Sequence, residues 1–248
     1  MAVPSTARVL PDRAGALAGG AHERRIPMEG ALAPLLPEGS IRRGTAVAVS
    51  GLGSMTLAIA LAAEASRRAS WVAAVGMADL GVAALVERGV DLGRWALVNL
   101  PVGVRSRDRS LSADVLGAVV GGFDLVLVGP EVRVGSATAR RLLARMREHG
   151  TSLICALGSD TSVDIANGLQ PELRMTIDRT RWTGIHGGHG RLLARQAEVT
   201  VWGRGAASRL RRIPMWLPSK DGRVACAEPD QISAFDDSFE NVRERRAG

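Results

Sequence analysis

The sequence predicts an α/β protein with a mostly parallel, twisted central sheet, helices on both sides, and an antiparallel extension. Three observations carry this. Across residues 45–157, five short apolar segments of strand length alternate with helical ones, a rhythm that calls for parallel strands joined by crossover helices. After Leu157 the rhythm changes to strand-like segments joined by glycine turns, with no helix between them. The first strand also runs into a helix through a glycine-rich turn, Ser50-Gly51-Leu52-Gly53-Ser54.

In chain order, residues 1–27 carry Pro, Gly and scattered charges and read as a loose arm. Residues 28–36 suit a short helix stopped by Pro37, and a core domain spans 28–226. Residues 45–50 form a strand, 56–67 a helix, 70–75 a strand, 79–88 a helix and 95–99 a strand. A helix near 110–120 precedes 123–128, an apolar run of the length expected of a strand buried on both faces. The clearest helix follows: Ser136 can cap it, Gly150 can end it, and Ala139, Leu142, Leu143 and Met146 share one face. Residues 151–157 are another buried strand; 173–179, 191–202 and 209–217 are the late strands.

At 248 residues the chain amounts to one full-sized domain with small appendages. Such a chain buries about three-quarters of its unfolded surface and needs neither disulfides nor a structural metal. Its net charge is +7, and every basic residue except Lys220 is arginine. Lysine-dependent chemistry elsewhere in the chain is thereby excluded, including Schiff-base catalysis and the phosphate-gripping lysine of ordinary P-loop hydrolases. The absence of tyrosine and a total of three phenylalanines argue against a surface rich in base-stacking aromatics.

Cys155 and Cys226 make no disulfide framework, and Cys155, inside an apolar run, reads as a buried thiol of a cytoplasmic protein. The first 25 residues hold Arg8, Asp12, Arg13, Glu23, Arg24 and Arg25 without an apolar centre, unlike a signal peptide. Residues 45–63 are uncharged over 19 positions, long enough for a membrane span. The glycine turn in their middle breaks them into strand and helix, so no membrane contact is expected.

That turn stands where a phosphate loop would, because a strand leading into a helix N-terminus presents free amides and a positive dipole end. Gly51, Gly53, Ser54, Met55 and Thr56 make a degenerate version of it: Met55 takes the lysine's place before Thr56, and the turn is about two residues short of the full pattern. Nucleotide hydrolases also end a buried strand with a magnesium-holding aspartate. Here the strand Asp124-Leu125-Val126-Leu127-Val128 continues into Gly129 and Pro130. The joint loss predicts a non-enzyme without a nucleotide cofactor. His186 and His189 lack the further ligands that zinc needs and read as a hairpin turn. No serine sits in a nucleophile elbow.

Charge divides by region. Between Arg179 and Lys220 nine basic residues face one acidic residue, Glu198, a local balance of +8. Arg191, Arg195, Arg209, Arg211 and Arg212 are the candidates for DNA phosphates, with general solubilisation as the alternative. Trp182, Trp202 and Trp216 are interleaved with them, and strand alternation predicts at least two in the core. The tail, residues 227–248, carries −3 and a helical stripe of Ile232, Phe235, Phe239 and Val242. Such a stripe fits a partner's groove or the protein's own surface.

With these elements placed, the chain resembles the RecA-like P-loop core with degenerate Walker motifs, and within it the ImuA and ImuA-prime type accessory proteins of bacterial mutagenic translesion synthesis. The resemblance covers about residues 30–217. It rests on Leu35-Leu36-Pro37-Glu38-Gly39-Ser40-Ile41-Arg42-Arg43-Gly44, on the glycine turn, on residues 123–128, and on Gly188-His189-Gly190-Arg191-Leu192. In it the lysine position is Met55, the magnesium aspartate Gly129, and the catalytic glutamate Ala78, beside Asp79. The resemblance implies a damage-induced adaptor that binds an ImuB-type inactive Y-family polymerase homologue and, through it, an error-prone replicative-type polymerase, with DNA as a further contact. The alternatives are a SulA-like cell-division inhibitor and a RecA-like ATPase or DNA-binding protein that still holds a nucleotide.

Overall fold

The computed structural model describes residues 25–100, 109–130, 132, 134–158, 168–186 and 189–228. The described chain enters through β1 (Arg25–Pro27), which pairs antiparallel with β2 (Ser40–Arg42) in a small separate sheet. Ile26 and Ile41 lie opposite each other and are both buried. The last residues of the segment read as a loose arm are therefore held by an apolar contact. Two 3-10 turns, Gly30–Leu35 and Pro37–Gly39, replace the expected helix. Pro34 sits inside the first, where it removes a backbone donor.

The core elements follow as β3 (Ala46–Gly51), α1 (Ser54–Arg67), β4 (Val72–Val75), α2 (Val82–Glu87), β5 (Trp95–Val98), α3 (Arg109–Val119), β6 (Leu125–Val128), α4 (Ser136–His149) and β7 (Ser152–Ala156). The late strands are β8 (Leu173–His186), β9 (His189–Gly203), β10 (Arg211–Trp216) and β11 (Ala225–Cys226). They form one nine-stranded sheet in the order β11-β10-β9-β8-β3-β7-β6-β4-β5. From β8 to β5 neighbours run parallel; β9, β10 and β11 are antiparallel. The expected mixed sheet is what forms.

Every position of β4, β6 and β7 is buried, as expected of apolar strands covered on both faces. α1 supplies Leu57, Leu61 and Ala62 to one side of the sheet; α3 and α4 supply Leu116, Ala139, Leu142 and Met146 to the other. Gly150 ends α4 in the left-handed conformation. Ser136 does not cap it: the cap position is Gly135, without a side-chain hydrogen bond, and Ser136 is the first helical residue.

Polar ties anchor this frame. Asp124, buried at the start of β6, accepts hydrogen bonds from Arg43 Nη1 at 2.6 Å and from the Trp71 backbone N–H at 2.7 Å. On α1, Glu64 receives the guanidinium groups of Arg67 and Arg68. Burial raises the Glu64 pKa, but the hydrogen bonds and charges of the two arginines outweigh it and hold the carboxyl below its usual range. Cys155 is buried in β7, and desolvation pushes its thiol up to about 12, while Cys226 is exposed. Among the described residues no helix is long and apolar enough to cross a membrane.

The late ribbon is longer than its sequence suggests, with 14 residues in β8 and 15 in β9. Side-chain alternation gives it two different faces. Met175 and Ile177 of β8, Val199 and Val201 of β9, and Met215 of β10 join the core on the α1 side. Their strand neighbours point the opposite way, and a register shift between Ile177 and Arg179 turns Arg179 and Arg181 to that opposite face as well. None of Trp182, Trp202 and Trp216 is fully buried, contrary to the expectation from alternation. Trp202 and Trp216 fall on the face away from α1, and Trp182 lies past the shift, beyond the body of the core.

Candidate functional site

The parallel strands end along one edge of the sheet, where open α/β folds place their ligands. Both positions marked by the sequence lie on that edge. β3 leaves the sheet at Gly51, whose N–H donates to the Gly158 carbonyl at 2.7 Å. Gly53 then takes a left-handed conformation with φ 97° and forms the N-cap of α1. Ser54 is buried, and Met55 packs against the apolar core on the α1 side of the sheet. The residue at the lysine position is thus turned inward and serves packing.

A cation nevertheless reaches the loop, from a strand far away in sequence. Arg195 of β9 shares the α1 side with Val199 and Val201 and is only 9% exposed. Its Nε donates to the Leu217 carbonyl at 2.6 Å, and its Nη2 approaches Thr56 Oγ1 at 3.4 Å. The guanidinium stacks over Trp182, 5.2 Å from the ring centroid. It also lies so close to Gly53 that a β-carbon there would overlap it. The concave side of the turn is filled by the protein's own side chain.

Arg195 has no carboxylate partner among the described residues. Desolvation, followed by repulsion from Arg88, lowers its pKa; a guanidinium still stays charged at any physiological pH. A cation at a helix N-terminus opposes the dipole that makes such a terminus attract phosphate. The backbone carbonyl of Leu217 and the face of Trp182 stabilise it instead.

The metal position is closed by backbone. A β-carbon on Gly129 would overlap the Gly76 carbonyl oxygen at the end of β4 and come within 2.8 Å of Met77 Cγ. Gly129 N–H donates to the Val75 carbonyl at 2.9 Å, which holds the ends of β6 and β4 together. An aspartate has no room here. Ala78 and Asp79 are exposed beyond β4. His186 pairs with His189 across the end of the ribbon, which makes them hairpin residues. Among the described residues no cluster of three or more His, Cys, Asp or Glu could hold a metal ion.

The five arginines read as DNA contacts do not form one surface. Arg195 is spent on the loop, and Arg211 points to the α1 side, where Nη1 and Nη2 donate to the carbonyls of Pro34 and Leu35 at 2.8 and 3.2 Å. Arg191, Arg209 and Arg212 are exposed, at the ribbon's end, before β10 and on the open side of β10 respectively. The tail stripe Ile232, Phe235, Phe239 and Val242 lies outside the described residues. Charge and segment alone misplaced Arg195 and Arg211. The signal that finds them is parity, since each lies an even number of residues from the buried valines or methionine of its own strand.

If the turn is closed by Arg195, the two sites are energetically coupled. Gly53→Ala is expected to destabilise the protein markedly in the native background, and less once Arg195→Ala has emptied the turn. Urea unfolding of the two single variants and the double variant should give a coupling energy of roughly 0.5–3 kcal/mol. Strict additivity would mean that the guanidinium does not fill the turn.

A parallel sheet with a glycine turn after its loop strand, extended by antiparallel strands beyond the last crossover, has the architecture of a RecA-like core. Solved structures agree on the fold. The KaiC-like protein PH0186 from Pyrococcus horikoshii OT3 superposes with a TM-score of 0.54 at 16% identity, covering 83% of this chain and 99% of that one. The RadB recombinase gives 0.55 at 17% identity, covering 80% and 97%.

The chain belongs to the MT3502 N-terminal domain family, whose sequence model matches residues 34–161. A curated relative, the uncharacterized protein Rv3395c of Mycobacterium tuberculosis, is 33% identical over 127 residues, which is 50% of this chain. The match spans 58% of that relative's length.

Proposed function

We propose that the protein is a non-catalytic RecA-like adaptor in SOS-induced DNA-damage tolerance, acting in mutagenic translesion synthesis in the cytoplasm. Its partner in this reading is an ImuB-type inactive Y-family polymerase homologue and, through it, an error-prone replicative-type polymerase, with DNA as a second contact. The observation that carries the reading is the double closure: Arg195 against Gly53 and the Gly76 carbonyl against Gly129. A RecA-like core that has filled its phosphate and metal positions retains surfaces rather than chemistry. The acidic tail with its apolar stripe is the segment assigned to the polymerase homologue.

The test is co-purification. The full chain expressed with a tagged ImuB-type homologue should be retained; deletion of residues 227–248, or Phe235→Ala with Phe239→Ala, should abolish retention without changing the melting temperature of the core. Retention that survives both changes would count against the tail. ATP turnover that disappears in Thr56→Ala would replace the adaptor with a RecA-like ATPase. Filamentation on expression without any effect on induced mutagenesis would favour a SulA-like division inhibitor.

A further inference from the structure

The side of the late ribbon that faces away from α1 combines arginines with two tryptophans. Strand register places Arg174, Arg179 and Arg181 of β8, Trp202 of β9, and Arg212 and Trp216 of β10 on it together. Arg174 pairs with Trp202, Arg181 with Gln196 and Gln196 with Trp216, so the four cations flank a diagonal that runs from one indole to the other. Arg179, Arg181 and Arg212 are exposed, and both indoles are partly exposed. Among the described residues no helix packs on this side of β9 and β10; α3 and α4 lie over β6 and β7. At the centre of the face the Thr200 hydroxyl is buried and has no hydrogen-bond partner.

We infer that this face binds single-stranded DNA, with bases stacked on Trp202 and Trp216 and phosphates on the flanking arginines. The inference rests on the adaptor reading only for its choice of DNA as the second contact, and it moves that contact from the five arginines marked by charge to a face defined by register. Phosphate is favoured by four cations against two carboxylates, Glu198 and Asp178 at the bulge. Unpaired bases are favoured over duplex on this face because a partly exposed indole offers a flat ring, whereas the part of the molecule with the shape to enter a major groove is the β8–β9 hairpin end, beyond both indoles. The separation along β9 between Trp202 and the Gln196 row that holds Trp216 is six residues, about 20 Å of strand, so several nucleotides fit between the two rings.

The experiment uses the full chain and a fluorescein-labelled oligodeoxythymidylate of about 16 nucleotides, the upper site size of a single stacking domain. Anisotropy should report binding that weakens with salt. Arg179→Ser with Arg181→Ser should weaken it on the order of twentyfold at about 0.1 M salt and make the logarithmic salt slope shallower by about 1.4. Trp202→Ala or Trp216→Ala should weaken it roughly five- to a hundredfold, with Trp202→Phe restoring much of the loss. Circular dichroism checks that each variant is folded. Arg141→Ser with Arg145→Ser, exposed on α4, removes the same charge and should change little.

Equal losses from the α4 pair and the ribbon pair, tighter binding of duplex than of single strand, or no binding at low salt would each overturn the inference. So would conversion of a dimer to a monomer by Trp202→Ala, since a second copy would then own the face. The ribbon variants should still retain the polymerase homologue. Loss of that retention in the tail variants, with oligonucleotide binding intact, leaves this face standing whatever becomes of the adaptor reading.

Discussion

Replacing Gly129 with aspartate will destabilise the protein by about 3 kcal/mol or more and will create no metal site. The reason is local. The new β-carbon would sit inside the van der Waals envelope of the Gly76 carbonyl, a backbone atom held in turn by the Gly76 N–H bond to the Val98 carbonyl at 3.0 Å. No rotamer relieves a β-carbon overlap, so the ends of β4 and β6 would have to separate, breaking the Gly129 N–H bond to Val75. Urea unfolding should show a lower midpoint, and magnesium should not restore it. Adding Met55→Lys should not produce ATP turnover either, because Arg195 fills the turn and Met55 is half-buried against the core. A stable Gly129→Asp variant that gains stability with magnesium would contradict this account.

Asp124→Ala should cost about 3–5 kcal/mol, the range for breaking a largely buried ion pair from one side. Its carboxylate is the meeting point of Arg43, which precedes β3, and of the Trp71 N–H at the entry to β4, while its own backbone carbonyl accepts from Ser152 N–H at 2.9 Å. Removal takes away an acceptor that a half-buried guanidinium and a backbone N–H share. Asp124→Asn keeps one acceptor and should cost less. Chemical denaturation at neutral pH measures both. Equal stability of Asp124→Ala and the wild type would mean that Arg43 and Trp71 find other partners.

What the sequence made legible were the elements whose own composition decides their structure. β6 and β7 are unbroken apolar runs because both faces are covered, and α4 shows a clean stripe because only one of its faces is. The boundaries of β8 and β9 were not legible, because from Thr183 and Ala194 to the turn the two strands pair only with each other. β1 was missed because three residues paired to three leave almost no local signal. In the site, the losses at Met55 and Gly129 could be read directly from sequence. The closures could not, since they depend on register: Arg195 reaches Gly53 across more than a hundred intervening residues through the order β9, β8, β3. The indoles were misassigned because a tryptophan on a sheet face can be half-covered by neighbouring side chains without being core.

The filled edge of the sheet makes redesign there unequal to redesign elsewhere. A full phosphate loop would take changes at Met55 and Arg195 together with a longer turn, and an aspartate at Gly129 would first have to displace the Gly76 carbonyl. Substitutions on the exposed faces of α4 and of the ribbon meet no such obstacle.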